Sequence, residues 1–294
     1  MNVRQLEAFK AVFTSGSVSL AADRLSVTQP AVSTLISNLE KSIGFQLFER
    51  INGRLVATPD AINLYTDVEH VFASLDRVHH TVEEIRTMSA GHLRVASMPG
   101  ATIKILPQII TPFLNGRPDV NVILHTRSST TVKEWVAMGL VDIGLAEMPI
   151  ESKAINWEPL IQRCVCILPV EHKLAQKKVI TPHDLANERL ITLYSDHMIT
   201  QRLNKTFKEA GLTLNTRLEV SMFSTCCNFV HEGAGISFVD AATADHYKDH
   251  DIIVRPFEPA IYFDIAIIFP ANRPRSKLTT EFSQLLRDWF GQYL

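Results

Sequence analysis

Ser17-Val18-Ser19-Leu20-Ala21-Ala22-Asp23-Arg24-Leu25-Ser26-Val27-Thr28-Gln29-Pro30-Ala31-Val32-Ser33-Thr34-Leu35-Ile36-Ser37-Asn38-Leu39 decides how the chain begins. It reads as two short helices joined by a tight turn, a helix-turn-helix shaped for a DNA major groove. Ser17 is placed to cap the first helix and Thr28 the second. Pro30 sits in the first turn of the second helix, where no backbone donor is lost. Leu20, Ala21, Ala22 and Leu25 form one apolar face, and the two alanines allow a close helix crossing. Val32, Leu35, Ile36 and Leu39 recur at helical spacing and are expected to face inward. Gln29, Ser33, Thr34 and Ser37 are left outside, as short polar groups suited to base edges.

Outward from this stretch, Phe45-Gln46-Leu47-Phe48-Glu49-Arg50 leads through Ile51-Asn52-Gly53-Arg54 into Leu55-Val56-Ala57-Thr58. Asn-Gly between short apolar runs is a strong hairpin signal. A hairpin after the second helix is a wing, with Arg50 and Arg54 flanking its tip as phosphate or minor-groove contacts. Charge follows the same division. Residues 1–58 hold six Lys/Arg against four Asp/Glu, and residues 59–90 hold two against six. The remainder is balanced, and the whole chain carries a net charge of −2, which excludes a bulk polycation.

From Pro59 to Met88 there is no Gly or Pro after the first residue. Ala61, Val68, Leu75 and Val82 fill one heptad position, and Leu64, Val71, Val78 and Ile85 the other. All eight are apolar, the pattern of a coiled coil that pairs two chains. Tyr65 and Phe72 lie beside the seam and are expected to widen it. Ser89-Ala90-Gly91 ends the helix. Beyond it, short apolar runs (Leu93–Ser97, Val120–Leu124, Val141–Ala146) alternate with helical stretches (Ile103–Leu114, Thr131–Met138), which implies βα units and mostly parallel sheets. About 200 residues of this kind suit two lobes, with Cys164–Leu168 and Tyr262–Phe269 as runs that pass between them.

Arg4-Gln5-Leu6-Glu7-Ala8-Phe9, Ser17 to Ala22, Thr28-Gln29-Pro30-Ala31-Val32-Ser33, Leu39-Glu40 and Leu47-Phe48-Glu49-Arg50 together resemble the winged helix-turn-helix of LysR-type transcriptional regulators. The resemblance continues through Pro107, Phe113, Pro118-Asp119-Val120, Asp142-Ile143-Gly144, Cys166 to Pro169, Gly233-Ala234-Gly235-Ile236 and Asp240, nearly the whole chain. It implies an α/β protein with an N-terminal winged helix-turn-helix (1–58), a dimerising linker helix (59–89) and a two-lobed, periplasmic-binding-protein-like effector domain (90–294). It also implies that Gln29, Pro30 and Ser33 touch bases and that Arg50 grips the backbone. The family usually carries basic residues where this chain has Thr34, Ser37 and Asn38, which shifts phosphate contact to Lys41, Arg50 and Arg54. Leu106-Pro107-Gln108, Lys133-Glu134-Trp135, Lys177 to Pro182 and Val254-Arg255-Pro256-Phe257 bring the chain nearest in appearance to members sensing lysine precursors or opines, so an amino-acid-like effector is implied.

Physical placement of the effector starts from the carboxyl ends of strands, where helix N-termini favour anions. Four places qualify: Ser97, Met98, Pro99, Gly100 and Thr102; Ser128, Ser129, Thr130 and Thr131; Tyr194 and Ser195; and Ser221 to Thr225, with Ser224 and Thr225 as contacts. Glu147, at the end of the third strand, is placed to hold an ammonium group. Ser97, Ser128, Ser129 and Thr225 are expected to converge on one carboxylate.

No P-loop, Rossmann, HExxH, GxSxG or CxxC pattern is present, so neither an enzyme nor a cofactor or metal is expected. Cys164 and Cys166 are expected on opposite faces of a strand, and Cys226 and Cys227 in a helix, as reduced structural thiols of a cytoplasmic chain. No apolar signal core or membrane span is read. The expected partners are double-stranded DNA with a dyad-symmetric operator, a small-molecule effector, a second copy through the linker helix (a tetramer being left open) and RNA polymerase. The alternative reading is a solute-binding or amino-acid-processing protein with an N-terminal assembly segment.

Overall fold

The computed structural model describes residues 1–51, 54–87, 91–247 and 249–293. It divides into two units, Met1–Arg86 and Thr87–Leu294. The first unit contains α1 (Val3–Ser15), α2 (Val18–Leu25), α3 (Gln29–Ile43), β1 (Phe48–Ile51), β2 (Arg54–Ala57) and α4 (Pro59–Thr87), which runs to the boundary. Asn2 and Gln5 form a reciprocal capping box on α1, and Ser17 caps α2. Ser26 closes α2 in the left-handed region at φ 54°, the sharp turn between the two motif helices. Phe9, Val12, Ala21, Val32 and Leu39 are fully buried and form the centre of this unit. Each large side chain of that kind contributes about 1.5–3 kcal/mol by leaving water.

Three expectations for this unit change. Thr28 stands at the N-cap of α3 but makes no side-chain capping bond. Leu20 is 56% exposed instead of inward, so the close crossing rests on Ala21 and Ala22, with Leu25 part-buried. The linker helix is also divided along its length. Ala61 and Val68 are buried, and Leu64, Tyr65 and Phe72 pack against the same cluster. Tyr65 stacks on Phe13 at 4.0 Å and Lys10 lies 4.9 Å from the Phe72 ring. These two aromatic residues therefore pack against the unit's own core. Further along, Val71, Val78 and Val82 are 40%, 57% and 48% exposed. The Asn52-Gly53 tip of the wing and the Ser89-Ala90 break lie outside the described residues.

The second unit begins with β3 (Gly91–Ser97), α5 (Pro99–Leu114), β4 (Val120–Thr126), α6 (Ser129–Ala137), β5 (Ile143–Glu147) and β6 (Ile155–Pro169). It continues with β7 (Leu190–Leu193), α7 (Met198–Glu209), β8 (Thr216–Val220), α8 (Phe223–His231), β9 (Ile236–Asp240), α9 (Ala241–His246), β10 (Ile252–Pro256), β11 (Tyr262–Pro270) and α10 (Lys277–Phe290). Both expected helices start earlier than the sequence pattern suggested, at Pro99 and Ser129, immediately after their strands. β3, β4 and β5 are parallel, as are β7, β8 and β9. β6, β10 and β11 run antiparallel to their neighbours, so both sheets are mixed.

β6 joins the lobes. Residues 155–163 pair with β11 in the first sheet, and residues 164–169 pair with β9 and β10 in the second. Cys164 donates its backbone N–H to Ile261 O at 2.8 Å, which ties the crossing strand to the return connection. β11, read from sequence as a second crossing run, belongs to the first sheet. Cys164 and Cys166 share one face of β6 rather than opposite faces, because strand side chains alternate with period two. Leu160, Gln162, Cys164 and Cys166 are all buried along that face.

Candidate functional sites

On the first unit, Thr28, Gln29, Pro30, Ser33, Thr34 and Lys41 are all exposed. The inward face of α3 is Val32, Ile36 and Leu39, with Leu35 half-buried. Thr34 donates its hydroxyl to Pro30 O at 2.8 Å, so only its oxygen lone pair and methyl face outward. The Glu40 carboxylate accepts from Leu47 N at 2.8 Å and fixes the end of α3 to the start of the wing. Thr58 donates to Gln46 O and accepts from Ala61 N, which ties the far side of the wing to α4. Arg50 opposes Leu55 and Ile51 opposes Arg54 across the hairpin. The two exposed arginines therefore leave opposite faces of the ribbon. Sequence reading missed a groove beside α3 in which Arg4 and Arg24 lie alongside Pro30 and Thr34.

In the second unit, a cavity of about 90 Å³ opens between the lobes. Met98, Pro99 and Gly100 enter it from α5, and Glu147 from the end of β5. Gln162 enters from the crossing strand, His197 from the start of α7, Met222 and Phe223 from α8, and Asp240 and Thr243 from the β9–α9 turn. Met98 and Met222 are the N-cap residues of α5 and α8, and neither makes a side-chain capping bond. The first amides of these helices lack the usual capping oxygen.

Four of the hydroxyls expected to meet a ligand have other partners, and the rest lie outside the cavity lining. Ser97 is fully buried and donates to Met98 O at 3.2 Å, and Thr102 donates to the same oxygen at 3.0 Å. Ser128 accepts from Thr131 N at 3.3 Å and so caps α6. Ser129 accepts from Glu147 N at 3.1 Å and so positions that residue. Thr130, Tyr194 and Ser195 are exposed and lie outside the cavity lining, as do the half-buried Ser224 and Thr225.

His197 accepts from Ile199 N through Nδ1 at 3.2 Å. Its neutral ring therefore carries the proton on Nε2, which faces Glu147 Oε1 at 3.6 Å. Phe263 stacks on the ring with centroids 5.9 Å apart. Asp240 caps α9, accepting from Thr243 N at 2.9 Å and Thr243 Oγ1 at 2.6 Å. Burial pushes its carboxyl above the usual range, and the bonds from Thr243 oppose that shift. Gln162 is 1% exposed, and its Oε1 has no hydrogen-bond partner. The four cysteines are buried and free, and burial pushes Cys226 up to about 11, so these thiols stay protonated at neutral pH.

Residues 3–62 match the bacterial regulatory helix-turn-helix of the LysR family, and residues 86–291 match the LysR substrate binding domain. The chain belongs to the LysR family. It is 35% identical to the regulatory protein NocR of Agrobacterium fabrum, over 97% of this chain and 95% of that one. Identity is 36% to the transcriptional activator LysR of Escherichia coli, over 96% and 91%. It is 34% to OccR of Rhizobium meliloti, an octopine catabolism/uptake operon regulator, over 96% and 95%. The fold matches that of the LysR-family regulator CbnR with a TM-score of 0.74 at 21% identity, covering 98% of this chain and 99% of CbnR. CbnR has also been solved with its target DNA. This LysR-family chain is thus a DNA-binding transcriptional regulator with an effector-binding domain. Among the described residues no helix is long and apolar enough to cross a membrane, and no cluster of three metal-ligating side chains occurs.

Gln162 carried the strongest missed signal in this LysR-family sequence. It is the one polar residue on the buried face of Leu160, Gln162, Cys164 and Cys166, a position where a core strand places an apolar side chain.

Proposed function

We propose that Gln29 and Ser33 read base edges while Arg50, Arg54 and Lys41 hold phosphates, with Thr28, Pro30 and Thr34 completing the contact surface. The observation that carries this reading is the polar face of α3, exposed from Thr28 to Thr34 beside a basic wing. The functional divisions are a DNA-binding part at 1–58, a pairing helix at 59–89 and an effector domain at 90–294. Two copies pair through the outer stripe of α4 made by Val71, Leu75, Val78 and Val82, and so present two recognition helices to a dyad-symmetric site. The exposure of Val71, Val78 and Val82, with Leu75 half-buried among them, supports this, since an unpaired apolar stripe of that spacing is costly in water. A small amino-acid-like effector sits between the lobes, and closure about the β6 crossing is the signal to the DNA-binding part. The relationship to OccR supports an effector of that kind. The protein works in the cytoplasm, with RNA polymerase as the downstream partner.

Gel shifts on the DNA upstream of the protein's own gene, run with Gln29→Ala, test this reading. Cognate affinity should fall by about 1–3 kcal/mol while random DNA binds as before. Equal loss on both sequences removes base reading from Gln29. Val78→Asp, measured by sedimentation, should abolish pairing and operator binding together. A dimeric Val78→Asp protein that still binds removes α4 from the pairing role.

A further inference from the structure

The charges and unmet hydrogen-bonding groups of the interlobe cavity specify a complementary occupant. Two helices open onto it without side-chain caps, α5 at Met98 and α8 at Met222. Each uncapped N-terminus acts as roughly half a positive charge, so the pair matches one carboxylate. Two acids, Glu147 and Asp240, line the same space. Gln162 adds a buried acceptor, Oε1, that nothing in the chain satisfies. A buried acceptor without a donor is costly, and the cost is recovered when a ligand brings an N–H to it. His197 Nε2 lies 3.6 Å from Glu147 Oε1 at the cavity wall.

We propose that the cleft takes a free basic α-amino acid. Its carboxylate rests on the open amides of α5 and α8, its two cationic groups meet Glu147 and Asp240, and one of them donates to Gln162 Oε1. The inference rests on the cleft being the effector site. It differs from the expectation drawn from hydroxyls, because the serines at 128 and 129 serve the fold and the acids face the ligand.

The test uses the full-length protein with L-lysine, L-arginine and L-ornithine as probes, read by thermal shift and calorimetry. At least one should raise the melting temperature saturably. Nε-acetyl-L-lysine lacks the distal cation and cadaverine lacks the carboxylate, so each should bind about tenfold or more weakly than L-lysine. Glu147→Gln and Gln162→Leu should each weaken the best probe by a similar factor. The acetylated and decarboxylated probes need no variant to fold. Tighter binding of L-glutamate than of any basic probe overturns the proposal, as does the absence of any shift with all three basic probes at millimolar concentration. Ser221→Trp separates the two layers, since residue 221 is exposed at the cavity mouth and a large ring there plugs it. If an acidic amino acid binds and Ser221→Trp abolishes it, only the ligand class falls. If binding of any probe survives Ser221→Trp, the cleft itself is the wrong site.

Discussion

The helix starts at residues 98–101 and 128–131 follow neighbouring parallel strands of one sheet and differ in every chemical respect. The second carries four hydroxyls in a row, and the first carries none. Ser128 and Ser129 accept hydrogen bonds from Thr131 N and Glu147 N, so the protein itself uses them. The start at Met98, Pro99 and Gly100 has no capping oxygen and opens onto the cleft. A rich set of hydroxyls at a helix start therefore signals a finished cap, and an apolar start beside a cavity signals backbone donors left for something else. α8 repeats the uncapped start at Met222, and α3 is likewise uncapped at Thr28, on the face proposed to meet DNA. α1, α2, α6, α7, α9 and α10 are all capped by side chains.

The largest effect that sharpens this contrast belongs to Asp240, which is both a cap and a cavity wall. Asp240→Ala should cost about 1–2 kcal/mol in chemical denaturation, because Thr243 loses its acceptor. Asp240→Asn keeps the acceptor and removes the buried charge. Since burial raises the folded pKa of this acid, its ionised form opposes folding, and that penalty is present at neutral pH and vanishes as pH falls below the unfolded value. Asp240→Asn should therefore raise the melting temperature of the ligand-free protein at neutral pH, with the gain shrinking in acid. A gain independent of pH refutes the charge argument.

Next in size are the plain caps. Ser128→Ala and Ser276→Ala should each cost about 1 kcal/mol of stability, and Ser128→Ala should leave the response to effector intact. Loss of that response with unchanged stability puts Ser128 back among the ligand contacts. Ser129→Ala should act at one remove, through the Glu147 backbone, and weaken effector binding by less than about tenfold, a net loss of roughly 1 kcal/mol. A hundredfold loss in calorimetry contradicts the positioning role. The smallest stability effect is expected at Thr28, whose hydroxyl caps nothing. Thr28→Ala should change stability by no more than a few tenths of a kcal/mol while lowering operator affinity in gel shifts. A full cap-sized loss breaks the parallel between α3 and α5.

Much of the headpiece was legible because its signals are local. Ser17, Ala21, Ala22, Pro30, Val32, Ile36 and Leu39 lie within one short stretch, and their spacing dictates two crossed helices with one polar face. Leu20 and Thr28 escaped that logic. An apolar residue at the right period still lies outside when only two alanines are needed for the crossing, and a cap-type residue need not cap. The α4 heptads were read as one seam, yet Ala61 and Val68 were taken by the unit's own core while Val71, Val78 and Val82 were left outside. Periodicity names a face of a helix and cannot say which neighbour covers each turn of it.

By itself, the sequence determined the order of elements, the helix-turn-helix with its outward residues, and the βα alternation that places a cleft at the carboxyl ends of strands, because these depend on contacts a few residues long. Only the tertiary structure decided which side chains meet in the cleft. Met98, Glu147, Gln162, His197, Asp240 and Phe263 converge because β6 passes from one sheet to the other and brings both lobes' strand ends to a common wall. Their chemistry depends on partners distant in the chain: a hydroxyl becomes structural once a backbone amide claims it, and an amide oxygen becomes available once burial leaves it without a donor.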